Sequence, residues 1–293
     1  MLQPMLPNSF TIIGRVFDPR GYIMDNINNH SVLRIITDGS LPGAMNMAVD
    51  ESILQAVNGG VSPATLRFYR WDEPTISLGY FQKHEDLVLQ DEVIRKMPVV
   101  RRQTGGGAIL HDDELTYSLV LPLNKPKQST NIESCRVGSY PTRFSNIENL
   151  YQLVHNSYLT ALAKLNVQVE YRGGTDSGNA QRGPFFCFAR RHRLDLVVDG
   201  DKLLGSAQRR IKNAVLQHGS LILARHFLQQ PCAQLKEIVK GPIDLNMLID
   251  DVADYISGQL RLKKTDGQLS DEEQEQSVKL QKKYNGHEWN RQR

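Results

Sequence analysis

The sequence predicts one large α+β domain, and three observations carry that prediction. Three stretches keep helical spacing of apolar residues, near 42–57, 146–166 and 244–256. Between and after them lie short runs rich in β-branched and aromatic residues, bounded by Gly, Pro and Asp-Gly turn signals. The last runs, from 194 to 223, follow one another closely enough to be three neighbouring antiparallel strands. With 293 residues, 40% of them hydrophobic, the chain is long enough to enclose a single core.

Residues 1–31 combine Pro, Asn and Gly with one apolar patch, FTIIGRVF, and read as an N-terminal extension to a domain over 32–293. The run LRIITDG at 33–39 is the first strand. A helix follows from Pro42 to Val57, with Pro42 in its first turn and Ala44, Met47, Ala48 and Leu54 on one face. Glu51 lies on that face beside Asn46 and Asp50, and a structural role is the commoner fate of such an acid. TLRFYRW and TISLGYF flank the turn DEP as scaffold strands. A helical segment near 84–96 leads into PVVRRQT, then three glycines, then AILHDDELTYSLVLP as one or two further strands. The polar stretch from Asn124 to Thr142, which contains Cys135, reads as a surface loop.

The helix over 146–166 opens on S-N-I-E, Ser145 to Glu148, the pattern of a capping box. After VQVEY, the aperiodic run RGGTDSGNAQRG reads as a mobile loop, a lid candidate ahead of the apolar PFFCF. LDLVV and DKLLGSAQ flank the hairpin signal Asp199-Gly200, and AVLQHGSLIL follows. From Leu262 onward the chain is highly charged. It contains S-D-E-E, Ser270 to Glu273, and reads as a peripheral helix.

Two stretches concentrate groups capable of chemistry. In RRQTGGGAILHDDELTYS, residues 101–118, a β-hairpin would explain the glycines but not the arginine pair ahead of them or the polar cluster behind. Glycine lets a backbone approach a ligand closely, so N–H groups, two guanidinium groups and the His111 imidazole can converge on one spot. The second stretch, from Phe185 to Leu223, holds Cys187, Lys202, Ser206, Gln208 and His218. By residue type alone Cys187, between Phe186 and Phe188, is equally a small core residue, Lys202 a solvated lysine at a turn, and His218 a hydrogen-bonded strand histidine. A thiol close to an ammonium group would instead favour its nucleophilic thiolate. Composition leaves these alternatives open.

Composition does exclude other classes. A net charge of +3, without a polybasic block interleaved with aromatics, argues against a nucleic-acid binder. The three cysteines form no C-x-x-C pair and are odd in number, so neither a zinc site nor a disulfide framework is indicated. No apolar run approaches the roughly 20 residues of a membrane helix and no signal-peptide core is evident, which together predict a cytoplasmic protein that does not engage membranes.

Taken in order, RRQTGGGAILH with ELTYS, LDLVVDGDKLLGSAQ and LQHGSLIL closely resemble the lipoate-protein ligase superfamily, whose catalytic domain is shared by biotin-protein ligases. The resemblance covers about residues 33–290. Within it, FCF ahead of LDLVV, GSAQ after the lysine, and KYNGHEW are most similar to octanoyltransferases that use octanoyl-acyl carrier protein. The resemblance implies a largely antiparallel mixed sheet flanked by helices, of the biotin/lipoate-protein ligase catalytic-domain type, with an acyl site roofed by RRQTGGG. It implies that Cys187 carries an acyl-thioester intermediate and that Lys202 lowers the cysteine's pKa. It places the substrate against Arg101, Arg102, Thr104, Gly105, Gly106, Gly107, His111, Gly205, Ser206, Ala207 and His218, with no cofactor and no metal. The implied donor is octanoyl-acyl carrier protein, and the implied acceptor is a lysine of a lipoyl-domain protein such as glycine cleavage H protein or a 2-oxoacid dehydrogenase E2. Two alternatives stand beside it. An ATP-dependent lipoate-protein ligase would use Arg101, the glycines and Lys202 on an acyl-adenylate and leave Cys187 incidental; a non-enzymatic protein would only bind lipoyl carriers. The N-terminal extension has no counterpart in the family pattern, and RGGTDSGNAQRG is longer and more polar than that pattern requires.

Overall fold

A computed structural model describes residues 32–123, 146–174 and 184–292, together with three short N-terminal strands. Those strands, β1 (Thr11–Ile12), β2 (Arg15–Phe17) and β3 (Ile23–Met24), pair antiparallel in that order. The segments 124–145 and 175–183, and with them Cys135, Ser145 and most of the expected lid, lie outside the described residues.

The domain begins with β4 (Val32–Leu41), α1 (Gly43–Gly59) and β5 (Ala64–Trp71). Because a helix carries the chain across, β4 and β5 run parallel. Next come β6 (Thr75–Leu78), α2 (Glu92–Arg95), β7 (Val99–Arg101), β8 (Ile109–His111) and β9 (Asp113–Pro122). Then follow α3 (Ile147–Lys164), β10 (Glu170–Tyr171), β11 (Leu196–Val198), β12 (Asp201–Arg210) and β13 (Ala214–Ala224). The chain continues through α4 (Leu235–Ile238), α5 (Leu245–Leu260), β14 (Lys263–Asp266), α6 (Asp271–Asn285) and α7 (His287–Asn290).

Among the described residues the main sheet has eight strands in the order β10-β11-β12-β13-β9-β5-β4-β14, antiparallel except where β4 meets β5 and β14. This is the predicted mixed, largely antiparallel sheet with helices on both faces. The period of two along β9 shows why. Leu119 and Leu121 join one core with Leu150 and Val154 of α3 and Val252 and Ile256 of α5, whereas Val120 between them joins Ile53, Leu54 and Val57 of α1 on the opposite face. Each such side chain contributes about 1.5–3 kcal/mol by leaving water.

Three readings are refined. The segments on either side of the three glycines do not form a hairpin: β7 pairs parallel and β8 antiparallel with opposite edges of β6, so the glycines cross over that short strand. The cap of α3 is Asn146, whose side chain accepts from the Glu148 N–H, while the expected cap Ser145 lies outside the described residues. The charged C-terminal stretch forms a helix, α6, with most of its side chains exposed, but it also makes specific contacts. It adds β14 to the sheet edge, and α6 packs on α1, burying Tyr284 and pairing Glu273 bidentately with Arg34 at 2.7 Å. A few aromatic and paired charged residues do this packing, so average charge conceals it. The Ser270–Glu273 capping box forms as the sequence predicts. No described helix is long and apolar enough to cross a membrane.

Candidate active site

Cys187 opens a short 3-10 turn, Cys187–Ala189, that is tied to the exit of the glycine segment. Ala108 N donates to Phe185 O at 2.9 Å and Cys187 N donates to Ala108 O at 2.6 Å. Phe186 packs with Ile76, Leu78 and Leu110, and Phe188 with Ile222 and Cys232. Because the two phenylalanines enter separate clusters, the residue between them is turned outward. Cys187 is therefore half-buried, not enclosed between the rings, and its side chain lines a cavity of about 430 Å³. The floor of that cavity is the sheet, through Tyr69, Trp71, Ser206, His218 and Gly219, and Met47 of α1 enters from one side.

The β11–β12 hairpin brings Lys202 to the same place. Asp199 and Gly200 take positive φ values of 50° and 84°, the conformation of a two-residue turn with the strands' own twist. A register shift opposite Leu196 and Val197 inserts a bulge after Lys202, which re-aims the lysine inward. Its Nζ lies 2.9 Å from Asp195 Oδ2 and donates to the Cys187 carbonyl at 3.3 Å, with both charged side chains 3% exposed. Gly205 makes room for this, since a Cβ there would meet Lys202 Cε at 2.5 Å. The lysine is thus a buried, paired cation.

From the other side comes Arg102, also buried. Nε donates to Thr104 Oγ1, Nη1 to Ser77 O and Oγ, and Nη2 to the carbonyls of Gly105 and Gly107 at 2.7 Å. These bonds hold the glycine segment in a curl in which Gly106 has φ 98°, accessible without strain to glycine. A Cβ on Gly106 would stand 2.9 Å from Arg102 Nη2 and 3.7 Å from Cys187 Sγ. Burial pulls the Arg102 pKa down to about 10.

Hydrogen bonds fix the histidines. His111 Nδ1 lies 2.7 Å from Glu114 Oε1 and Nε2 lies 2.7 Å from Ser77 Oγ. Ser77 accepts from Arg102, so its hydroxyl proton points to Nε2 and the Glu114 carboxylate receives the Nδ1 proton. By the same logic Thr104, which accepts from Arg102, donates to His218 Nε2 at 2.7 Å, and Asp50 stands behind Nδ1 at 3.4 Å. Burial works against the Asp50 carboxylate, but His218, Arg67 and Ser118 outweigh it and its pKa is lowered. Asp50 and Asn46 are held to Arg67, and Glu51 to Lys283 and Tyr284, all structural roles.

Cys187, Lys202, Arg102, Thr104, Gly106, His111, Gly205, Ser206, Ala207 and His218 therefore converge. Arg101 does not. It turns away to the carbonyls of Gly79, Gln82 and Asn290. Gly105 and Gly107 meet the site through their carbonyls on Arg102. Residue-by-residue reading missed Asp195, although an acid inside the apolar run LDLVV was a usable signal. It also missed His155, whose Nε2 lies 2.7 Å from Ser206 Oγ and whose pKa burial pulls down to about 3. Among the described residues no cluster of His, Cys, Asp and Glu is arranged to hold a metal ion.

Known proteins share this architecture. A family model described as the lipoyl protein ligase A/B catalytic domain matches residues 42–257. An octanoyltransferase LipM from Brevibacillus brevis is 32% identical over 283 residues, covering 87% of this chain and 97% of the relative. Another, from Oceanobacillus iheyensis, is 37% identical over 201 residues, or 66% of this chain and 67% of the relative. Among solved structures, a lipoate-protein ligase A bound with ATP matches with TM-score 0.67 at 20% identity, covering 89% of this chain and 98% of that one. The ligase of a bi-partite lipoylation system from Thermoplasma acidophilum matches with TM-score 0.63 at 19% identity, covering 89% and 97%. Identity that low carries the fold alone, but the match to the family model spans most of the chain, from α1 into α5. The chain belongs to the lipoyl protein ligase A/B catalytic-domain family.

Proposed function

We propose that the chain transfers an octanoyl group from the pantetheine thioester of octanoyl-acyl carrier protein to the ε-amine of a lysine on a lipoyl-domain protein, through a thioester on Cys187. The observation that carries this reading is the Cys187 thiol, turned into the cavity beneath Gly106 and beside the buried Lys202–Asp195 pair. Curated relatives bearing the octanoyltransferase name support it. In the first step the Cys187 sulfur attacks the donor carbonyl, and the carrier's pantetheine sulfur leaves and takes a proton. In the second the carrier lysine's neutral amine attacks the new thioester, and its proton ends on the departing Cys187 sulfur. A covalent nucleophile divides one transfer into two. Thioester exchange is close to isoenergetic and amide formation from a thioester runs downhill, so neither step calls for ATP. Lys202 holds the thiol-bearing turn through the Cys187 carbonyl, and the apolar cavity wall receives the acyl chain.

Intact-mass analysis after incubation with octanoyl-acyl carrier protein, without ATP, tests the reading. The expected result is one octanoyl adduct on Cys187 that disappears when a lipoyl domain is added. Product that forms only with ATP and free acid would assign the chain to the adenylating ligases, and absence of any product would leave a binding protein.

A further inference from the structure

We propose that Arg209 holds the phosphate of the donor's pantetheine arm, so that the entrance to the cavity selects the acyl donor. The inference rests on the transfer reading and adds how its first substrate is recognised. Along β12, Gly205 and Ala207 line the cavity, and Ala207 pairs with His218 of the cavity floor. Arg209 is next on that face of the strand, one pleat beyond Ala207. Arg210 points the opposite way, where it borders α3 beside Glu148 and Tyr151 and donates to Gln208. Arg209 is half-buried, its guanidinium stands over the Tyr80 ring at 5.3 Å, and its Nε is enclosed with no hydrogen-bond partner among the described residues. No carboxylate among the described residues forms an ion pair with it. A guanidinium held over an aromatic ring by cation–π attraction, with its donors unspent, is set to take an anion in bidentate geometry.

Distance along the strand selects which anion. Gly205 marks the thiol end, since a Cβ there would meet Lys202 Cε at 2.5 Å and Lys202 Nζ donates to the Cys187 carbonyl. From Gly205 to Arg209 the strand advances about 13 Å, at about 3.3 Å per residue. The arm of an acyl carrier is peptide-like, and the roughly thirteen bonds from its sulfur to its phosphorus extend to about 15 Å, by the reach of a polypeptide backbone. The thioester can therefore meet Cys187 while the phosphate meets Arg209. The acceptor lysine carries no phosphate, so Arg209 acts on the donor half of the transfer alone. Tyr80 and Phe81 complete the approach. Tyr80 N donates to the Thr104 carbonyl at 2.8 Å, which ties this platform to the glycine segment, and Phe81, 58% exposed, packs edge-on against Tyr80. A Cβ on Gly105 would lie 3.9 Å from the Phe81 ring, so an apolar face stands beside the glycines for the arm's methylene and dimethyl groups. The other cations at the cavity are committed elsewhere. Arg102 spends its donors on Ser77, Thr104, Gly105 and Gly107, Lys202 is paired with Asp195, and Arg190, at the thiol end, has its Nε on the Pro184 carbonyl.

The test is calorimetric titration of the full-length protein with two thioethers that cannot transfer an acyl group: S-octyl phosphopantetheine, and S-octyl pantetheine, which lacks the phosphate. Wild type should bind the phosphorylated probe about tenfold tighter, the scale of one charge-assisted hydrogen-bonded contact. Arg209→Gln should weaken that probe alone and close the gap. Arg209→Lys should keep part of it, having the charge without the bidentate fork. Arg210→Gln, on the opposite face, should leave the gap open. Equal affinities in wild type, no binding of either probe, a gap that survives Arg209→Gln, or one that Arg210→Gln closes as far would each overturn the inference. So would binding of ATP that depends on Arg209 when binding of the phosphorylated probe does not. Should Arg209→Gln fail to fold, Arg209→Met, which keeps an apolar stem against Tyr80, takes its place. Acylation of Cys187 by octanoyl-acyl carrier protein is followed in parallel by intact mass. An adduct on Cys187 without a gap between the probes sinks this inference alone; an Arg209-dependent gap without any adduct sinks the transfer reading and leaves the phosphate site standing.

Discussion

Arg101 and Arg102 stand side by side at the end of β7, 0% and 2% exposed, and a strand turns successive side chains to opposite faces. Arg101 reaches the Asn290 carbonyl with Nε and Nη2, and the Gly79 and Gln82 carbonyls with Nη1, so it binds the C-terminal helix α7 to the crossover after β6. Arg102 reaches the glycine carbonyls and the cavity. Both cations are satisfied by neutral oxygens, yet one closes the fold and the other meets the thiol. What separates them is only the face of the strand. Charge, burial and residue type together therefore do not mark a site residue; direction does.

The comparison can be broken most directly at the thiol. Cys187→Ala should abolish transfer and leave the thermal midpoint near that of wild type, because the side chain faces a cavity and supports no cluster; residual turnover above background would contradict the covalent scheme. Arg101→Met should show the reverse profile. Removing the guanidinium leaves buried carbonyls unpaired, at about 1–3 kcal/mol each, so urea unfolding should report a loss of roughly 3 kcal/mol or more, while octanoyl transfer per folded molecule stays near wild type under conditions that keep the variant folded. If transfer falls as far as it does in Arg102→Gln, the two arginines are not functionally distinct.

Smaller effects sharpen the contrast. Gly106→Ala puts a methyl at positive φ and 2.9 Å from Arg102 Nη2, at about 1–2 kcal/mol of backbone strain. Transfer should fall more than stability, and long acyl donors should suffer before short ones; equal losses across chain lengths would argue that the methyl acts only through the fold. Glu273 supplies a pH test away from the site. Burial works against its carboxylate, but Arg34 outweighs it through hydrogen bonds and charge, and the pKa is lowered. A folded-state value below the unfolded one means stability that is complete above about pH 4.3 and fades as the pH falls through the folded value. The stability gap between wild type and Glu273→Gln should therefore narrow on acidification, which urea titrations across that range would show. Cys232→Ala should cost about 1 kcal/mol, with no effect on transfer. Burial pushes the Cys232 thiol up to about 11, so iodoacetamide near neutral pH should label Cys187 and spare Cys232.

Local features of this fold were legible in the sequence. Asp199-Gly200 predicted its hairpin because two residues suffice to set that turn, Ser270 and Glu273 predicted their reciprocal cap, and the apolar faces of α1, α3 and α5 followed from helical spacing. Convergence of Cys187, Lys202, His218 and the glycines was legible through the family resemblance; residue type alone left each open. What stayed hidden depends on register and on distant pairing. One extra residue in β12 turns Lys202 onto Asp195, and no propensity announces such a bulge. The separation of β7 from β8 by β6 needs three segments at once, and the incorporation of the charged C-terminal stretch rests on Tyr284, Trp289 and the Arg34–Glu273 pair, not on average hydrophobicity.

The clasp between α7 and β7 also sets an order of events during synthesis. Trp289 donates its indole N–H to the Arg101 carbonyl, Asn290 accepts the Arg101 amide, and Gln103 donates to Tyr284. A nascent chain that has emerged through β13 already holds every group described around the cavity, yet the strand carrying Arg102 lacks its brace until α7 has left the ribosome. Domains form from their N-terminal parts as these appear, so catalytic competence should lag behind the folding of the sheet.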